Sequence, residues 1–468
     1  MRNLQRIGIV ILVCAVIQSS LFAQQTAEKT MKDAWANIYP AIEAQIKAPV
    51  FQAKEYNILK FGAKANKPEF LNTKAINKAI DKCSAAGGGK VIVPAGVWHT
   101  GPITLKSNVN LVLSEGATLL FTSDTKQYPL VKTRWEGVDC INYQPMIYAY
   151  EQTNVAVTGK GTIDGGGEFK NWWRMCGAKH YGWEEGIVSQ RIGRPLLLKW
   201  NEENVPLEKR IMGDGYGMRP QLVNFYKCKN VMMEGVKLLR SPFWVIHPLM
   251  CENVIMRNLH IENDGPNGDG CDPESCKNVL IEGCYFDTGD DCIAIKSGRN
   301  GDGRRWGIPS ENIIVRNCKM KNGHGGVVVG SEISGGYKML FVENCDMDSP
   351  ELDRVIRIKT STCRGGLIED IFVRNVKVGV CKEAVLRIEM TYENREVCDR
   401  SFTPQVRNVY LDNVSSEKSK YGVFISALTG DNNVSNINVF NSTFSGVAQG
   451  NMITGTVEGL NFKNYVVK

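Results

Sequence analysis

The chain has 468 residues, 43% of them hydrophobic, with 56 basic and 49 acidic side chains. That length allows two or three average domains or one long repetitive one. A formal charge of +7 suits an anionic ligand but is too diffuse for the dense basic patch of a nucleic-acid-binding protein.

Residues 1–23 read as a cleaved secretory signal. Arg2 and Arg6 give a basic start, Ile7 to Ile17 is an apolar run broken by Gly8, and Leu21-Phe22-Ala23 offers a cleavage site before Gln24. The run is too short to cross a bilayer comfortably. Val13 before Cys14 is a poor lipidation context, so export to the periplasm or the medium is expected. Residues 24–55 form an N-terminal extension, helical over about 27–48. The remainder, 56–468, is expected to be one catalytic domain. Asn72-Thr73 opens an amphipathic helix with Ile76, Ala79, Ile80 and Cys83 on one face, ended by Gly87-Gly88-Gly89. Strand-like stretches follow at Lys90 to Val93, Val109 to Leu113 and Asn154 to Val157. Residues from about 165 to 220, with Trp172, Trp173, Trp183 and Trp200, are too long for one repeat and read as an inserted lobe. Its tryptophans either stack on rings of a ligand or pack the lobe.

From about residue 230 one pattern recurs, beginning at Val231, Val254, Val279, Ile313, Leu340, Ile371 and Val409, with a weaker copy at Ile437. Each copy predicts a short strand of alternating period. Its fifth position holds Gly235, Asn258, Gly283, Asn317, Asn344, Asn375, Asn413 and Asn441, and only Gly and Asn accept a left-handed backbone routinely. A constant bend with variable repeat length describes coils of one winding with loops between them, a parallel β-helix. The helix at 72–89 then caps an open solenoid end that would otherwise expose strand edges. Val, Leu and Cys interchange at the sixth position, so Cys284, Cys318 and Cys345 are expected as core thiols. The sequence leaves open whether Cys271 and Cys276 are oxidised.

Four polar clusters sit one repeat apart: Asn267-Gly268-Asp269, Asp290-Asp291, Gly323-His324-Gly325 and Arg357-Ile358-Lys359. Parallel strands stack ~4.8 Å apart, so equal phases in neighbouring coils become neighbours in space. Asp290 and His324 stand equally far from their strand starts; Asp269 and Arg357 are looser in phase. Stacked, the clusters line one groove. Glycoside hydrolysis needs a protonated acid and a base, and an inverting pair stands ~6.5–9.5 Å apart. Crowded carboxylates cannot all ionise, so one is expected to hold a proton. Arg357 and Lys359 alternate around Ile358 and point the same way, as a clamp for a substrate carboxylate. Lys296, Arg299, Arg304 and Arg305 either read substrate carboxylates or form a solvated loop.

These clusters resemble, in order, the N-T-D, D-D, G-H-G and R-I-K motifs of glycoside hydrolase family 28, the polygalacturonases, over a stretch from Tyr56 onward. The resemblance implies an all-β, right-handed parallel β-helix and metal-free, inverting hydrolysis of α-1,4-galacturonosyl bonds. It implies Asp290 as general acid, Asp269 and Asp291 as the pair activating water, His324 as support for the acid, and Arg357 and Lys359 as substrate-binding cations; Asn267, Lys296 and Arg299 are further candidates for substrate binding. No cofactor and no metal are expected, and the partner is a pectic polysaccharide or oligogalacturonide met by a monomer. Gly268 departs from the motif's threonine, which keeps rhamnogalacturonan or xylogalacturonan open as alternative backbones. The basic segment from Arg299 to Arg305 resembles that of exo-acting members, and the insertion would wall one end of the groove. Asp264, Asn267, Asp269 and Asp272 lack the spacing of an EF-hand loop. A calcium-dependent pectate lyase and a non-catalytic polysaccharide-binding β-helix are the competing classes.

Overall fold

The structure, a computed structural model, describes residues 24–430 and 433–468; the expected signal at 1–23 lies outside them. The chain winds as a right-handed parallel β-helix. The strand starts expected from the sequence pair in register, Val231 with Val254, Val254 with Val279, Val279 with Ile313 and Ile313 with Leu340. The register continues through Ile371, Val409 and Ile437 to a further coil at Leu460. All eight residues at the fifth position have positive φ, between 47° and 79°. The bend is therefore a backbone property repeated once per coil. Part of it carries the expected ladder: Asn375 donates to Asn344 at 3.2 Å and Asn413 to Asn375 at 2.8 Å. A second ladder, one residue before each strand start, was not anticipated. It links Asn154, Asn230 and Asn253, and again Asn278 with Asn312, at 2.8–2.9 Å.

The strands bury both faces, not one. Inside lie the first, third and sixth positions, including the thiols of Cys284, Cys318 and Cys345. The second position forms an apolar row on the outside: Ala156, Met232, Ile255, Leu280, Ile314, Phe341, Phe372 and Tyr410. The N-terminal extension covers this row. Residues 24–43 are helical, with a π-helical turn at Ala34–Ile38, and pack Ala27, Met31, Ala34, Tyr39 and Ile42 onto it. Burying such a side chain is worth about 1.5–3 kcal/mol, so the extension is part of the fold's packing. Tyr39 pins it by donating to Glu343 at 2.6 Å while accepting from Arg316 at 2.9 Å.

Helix α1 (Thr73–Ala85) buries Ala75, Ile76, Ala79, Ile80 and Cys83 against the first coils, as its periodicity predicts. Asn72 does not cap it with its side chain; it ties residue 64 to residue 99 instead, accepting from Lys64 at 2.7 Å and donating to the His99 carbonyl at 3.1 Å. The insertion contributes helix α2 (Gln190–Glu202), which packs against an antiparallel hairpin, Leu130–Trp135 with Val138–Tyr143. Trp135, Val138, Leu197, Met212, Phe243 and Trp244 form the core between them. Trp172 and Trp173 are buried packing residues, with Trp173 Nε1 donating to the Ser241 carbonyl at 2.9 Å. Cys271 and Cys276 are buried free thiols; the disulfide joins Cys363 to Cys398 and fastens the loop that carries residues 390–398. Among the described residues no helix is long and apolar enough to cross a membrane.

Candidate active site

One ladder of short strands forms the floor: β1 (Ile293–Ile295), β2 (Val327–Val329), β3 (Arg354–Lys359) and β4 (Ala384–Glu389). The acidic and histidine clusters occupy the turns that lead into it. Cys271 bridges Ile293, and Gly270 donates to the Asp291 carbonyl at 3.0 Å, which places Asp269 beside Asp291. The looser phase read for Asp269 is absorbed in its turn, and its register is as good as that of Asp290. His324 N donates to the Asp290 carbonyl at 3.1 Å, so those two residues are stacked as expected. One carboxylate oxygen from each of Asp269, Asp290 and Asp291 falls within 4.8 Å of the others. This is tighter than the gap expected between an acid and a base. Two oxygens within 4.8 Å of each other can share one water at about 2.8 Å from each, so Asp269 and Asp291 fit the role of a pair around one water.

The turn before Asp269 is built by close packing. Asn267 has φ 53° and accepts from Arg219 at 2.7 Å. Arg219, fully buried, also donates to the carbonyls of Pro242 and Pro266 at 2.7 Å each. A Cβ at Gly268 would lie 2.5 Å from the Gly265 carbonyl oxygen and 2.6 Å from Asn263 Nδ2. The glycine in place of the motif's threonine therefore has a local steric cause.

Charge is distributed unevenly over the three aspartates. Asp291 is fully buried, with Lys359 Nζ at 2.6 Å and Arg357 Nη1 at 3.6 Å. Asp269 is 4% exposed. Burial and the nearby Asp290 push its carboxyl up to about 8, against the opposing pull of Lys296 at 3.6 Å. Asp290 stands nearest the solvent, its side chain 20% exposed, with His324 Nδ1 at 3.0 Å. Burial works to raise Asp290, but the imidazole's hydrogen bond and charge prevail and bring it to about 2. The same contact lifts His324 to about 9. The proton expected on one crowded carboxyl thus belongs to the buried corner around Asp269 in the free protein, while Asp290 is ionised against an imidazolium. The cause is His324, whose charge the crowding argument did not count.

The expected cations divide in two. Lys296, Lys359 and Arg299 line a cleft of about 380 Å³ together with Asn267, Asp269 and Asp290. Arg357 and Lys359 lie under the Tyr392 ring, at 5.4 and 5.2 Å, and Arg357 Nε is a buried donor without a partner. Arg299 is 1% exposed and held by Glu136, Glu332, Glu393 and Glu396, at 3.1, 3.3, 2.8 and 2.9 Å. Arg304 and Arg305 face elsewhere: Arg304 lies 3.6 Å over the Phe402 ring and Arg305 pairs with Asp302. Among the described residues only Asp269, Asp290 and Asp291 form a carboxylate group tight enough for one cation. Asp264 and Asp272 are not in it, and ammonium and guanidinium groups already neutralise Asp291.

Sequence reasoning missed the cleft's other walls: Glu136, Gln190, Arg194, Trp244, Ser331, Glu332, Tyr392 and Glu393. They come from the hairpin, α2 and irregular loops with no shared phase, so periodicity carried no signal for them. Arg194 of α2 pairs with Glu136 at 2.7 Å and Glu393 at 3.2 Å. The insertion and the 390–398 loop therefore meet over the cleft.

Residues 208–455 match the sequence model described as Glycosyl hydrolases family 28. A probable polygalacturonase of Vitis vinifera is 31% identical over 382 residues, which is 77% of this chain and 69% of the relative. An exo-poly-alpha-D-galacturonosidase of Dickeya chrysanthemi is 29% identical over 75% of this chain and 59% of its own length. The crystal structure of a hyperthermoactive exopolygalacturonase from Thermotoga maritima superposes with TM-score 0.88 at 40% identity, covering 92% of this chain and 96% of that one. The chain belongs to glycoside hydrolase family 28, and it is a glycosidase.

Proposed function

We propose that this hydrolase cleaves α-1,4-galacturonosyl bonds of pectic polysaccharide, with inversion, from the ends of chains. The observation that carries this reading is the convergence of three aspartates within 4.8 Å of one another in a cleft lined by Lys296 and Lys359. Acid/base cleavage needs the carboxyls, and a uronic acid needs the cations.

In this reading Asp269 and Asp291 hold the attacking water, with Lys359 and Arg357 paired to Asp291 from behind. Asp290, at the rim, serves the leaving oxygen. Its proton comes from the Asp290–His324 pair, which as a unit retains one proton up to about pH 9. An anionic sugar displaces water and adds negative charge beside Asp290, which favours moving the Nδ1 proton onto the carboxylate. The C–O bond then breaks as Asp290 gives that proton to the leaving oxygen, and water adds to C1 from the other face while losing a proton to Asp269. Arg357, with its free buried Nε–H, and Lys359 bind the substrate carboxylate, and Asn267 and Lys296 contact the sugar nearby. Arg299 acts with them by fixing Glu136, Glu332 and Glu393 in the wall.

Exo action rests on that wall: a bridge from Arg194 to Glu393 obstructs a continuous chain. The Thermotoga maritima and Dickeya chrysanthemi relatives bear exo-acting names, which supports the same choice. Gly268 argues little for another pectic backbone, since its turn has no space for a threonine. Export to the periplasm or the medium and a monomeric state complete the proposal. The test is product analysis on polygalacturonic acid, with rhamnogalacturonan in parallel. Monomer or dimer alone from the first minutes is expected; a ladder of intermediate oligomers defeats exo action, and turnover of rhamnogalacturonan alone defeats the substrate.

A further inference from the structure

Asp272 has no part in the chemistry above, yet it is the most costly carboxyl of the cleft floor. It is fully buried, and the one donor beside it is the Lys296 ammonium, 3.4 Å from Oδ1 and outside good hydrogen-bond geometry, which leaves its other oxygen without a donor. It stands beside the Asp269 carboxyl, both of them within 3.6 Å of one ammonium. The cation nearest both is Lys296, with Nζ 3.4 Å from Asp272, 3.6 Å from Asp269 and 3.2 Å from Glu332. Trp244 closes the other side, its ring 4.6 Å from that ammonium. Glu332 is held ionised, burial notwithstanding, by Lys296 and Arg299. What remains is two buried carboxyls facing one ammonium that a third acid already shares. Two facing carboxylates are both acceptors only, and they repel; a single proton between them supplies the missing donor.

We propose that Asp272 is a positioning residue that shares one proton with Asp269, holding it as the donor so that Asp269 is free to take a proton from the attacking water. The proposal rests on the assignment of Asp269 to that water. When water attacks, its O–H bond breaks and the proton passes to Asp269, while the O–H of Asp272 keeps its hydrogen bond to the same carboxyl. No charge is left unpaired in the floor during the step. Burial and the neighbouring Asp269 raise Asp272 well above the usual carboxylate range, consistent with this. The other charged groups facing the pair are Asp290, Asp291 and Lys359 across the cleft. Two residues further along the same segment lies a closed set: Glu274 bound by Arg134 at 2.8 Å and by a neutral, fully buried His247 of the neighbouring strand at 2.9 Å. Burial is what lowers His247, so this set keeps its charge across the working pH range and does not supply the proton.

The experiment compares Asp272→Asn with Asp272→Ala. Asparagine keeps the shape and a permanent donor. Its turnover is expected to stay within about threefold of the parent, with the acid limb of the kcat profile unmoved. Alanine removes the donor, so Asp269 takes its proton at higher pH. The acid limb is then expected to move up by about one pH unit, with kcat about tenfold lower near that limb and KM unchanged. Difference infrared spectra of the substrate-free parent and Asp272→Asn, recorded near neutral pH, are expected to show a protonated carboxyl band lost in the variant. That measurement needs no substrate, so it tests the shared proton even if Asp269 proves to have another role. Equal losses in both variants with an unmoved acid limb, absence of the carboxyl band, or an asparagine variant that does not fold would each overturn the proposal.

Discussion

Replacing His324 by alanine tests the least orthodox part of the mechanism, the proton held between Asp290 and an imidazolium. The contact is a charge-assisted hydrogen bond of 3.0 Å to a side chain that is 53% exposed. Such bonds contribute about 1.5–3 kcal/mol; screening at a half-exposed site reduces this to about 1–2 kcal/mol. If that energy is used in the transition state, kcat/KM falls about 5–30-fold. The sign of the pH effect follows from the shifts. In the parent the His324 proton is retained until about pH 9, so the alkaline limb of activity lies there. Without the imidazole, Asp290 must hold its own proton, and the alkaline limb moves to lower pH. Stability changes in the same sense: His324 is raised above its unfolded value of about 6.5, so the pairing stabilises fully below that value and is lost as pH rises through about 9. Reducing-end release across pH, with denaturant unfolding at pH 6 and pH 10, measures both. An alanine variant with parental kcat/KM and an unmoved alkaline limb would refute the reasoning.

Two further substitutions probe the floor of the cleft. Lys359→Met leaves Asp291 buried with only Arg357 nearby, at 3.6 Å; breaking such a pair costs about 3 kcal/mol, and urea unfolding should show that loss together with near-complete loss of turnover. Unchanged stability would mean that Asp291 has another partner. Gly268→Thr would restore the family's residue in a turn where a Cβ meets the Gly265 carbonyl oxygen at 2.5 Å. It should destabilise by about 1–3 kcal/mol and lower activity by displacing Asp269; a variant as stable and active as the parent would show that the turn relaxes, and would return Gly268 to the question of specificity.

The winding and the reactive residues were legible in the sequence because both depend on local properties repeated at a fixed phase. A left-handed bend needs Gly or Asn, so Asn258, Asn317 and Asn344 mark the coils, and each coil brings its polar cluster to the same corner. The N-terminal extension was readable in retrospect: Met232, Ile255, Leu280, Ile314 and Phe341 break the alternation with a third apolar residue, a row that something had to cover. What the sequence could not supply were relations among residues with no common period. Glu136, Arg194, Glu332 and Glu393 meet only because α2, the hairpin and the disulfide-tethered loop fold over the cleft. The protonation pattern also belongs to tertiary structure. Three aspartates of the same type differ because one faces His324, one faces Lys359 and one shares a buried corner with Asp272. Electrostatic energy depends on distance and burial, which a linear spacing fixes only where the repeat is regular.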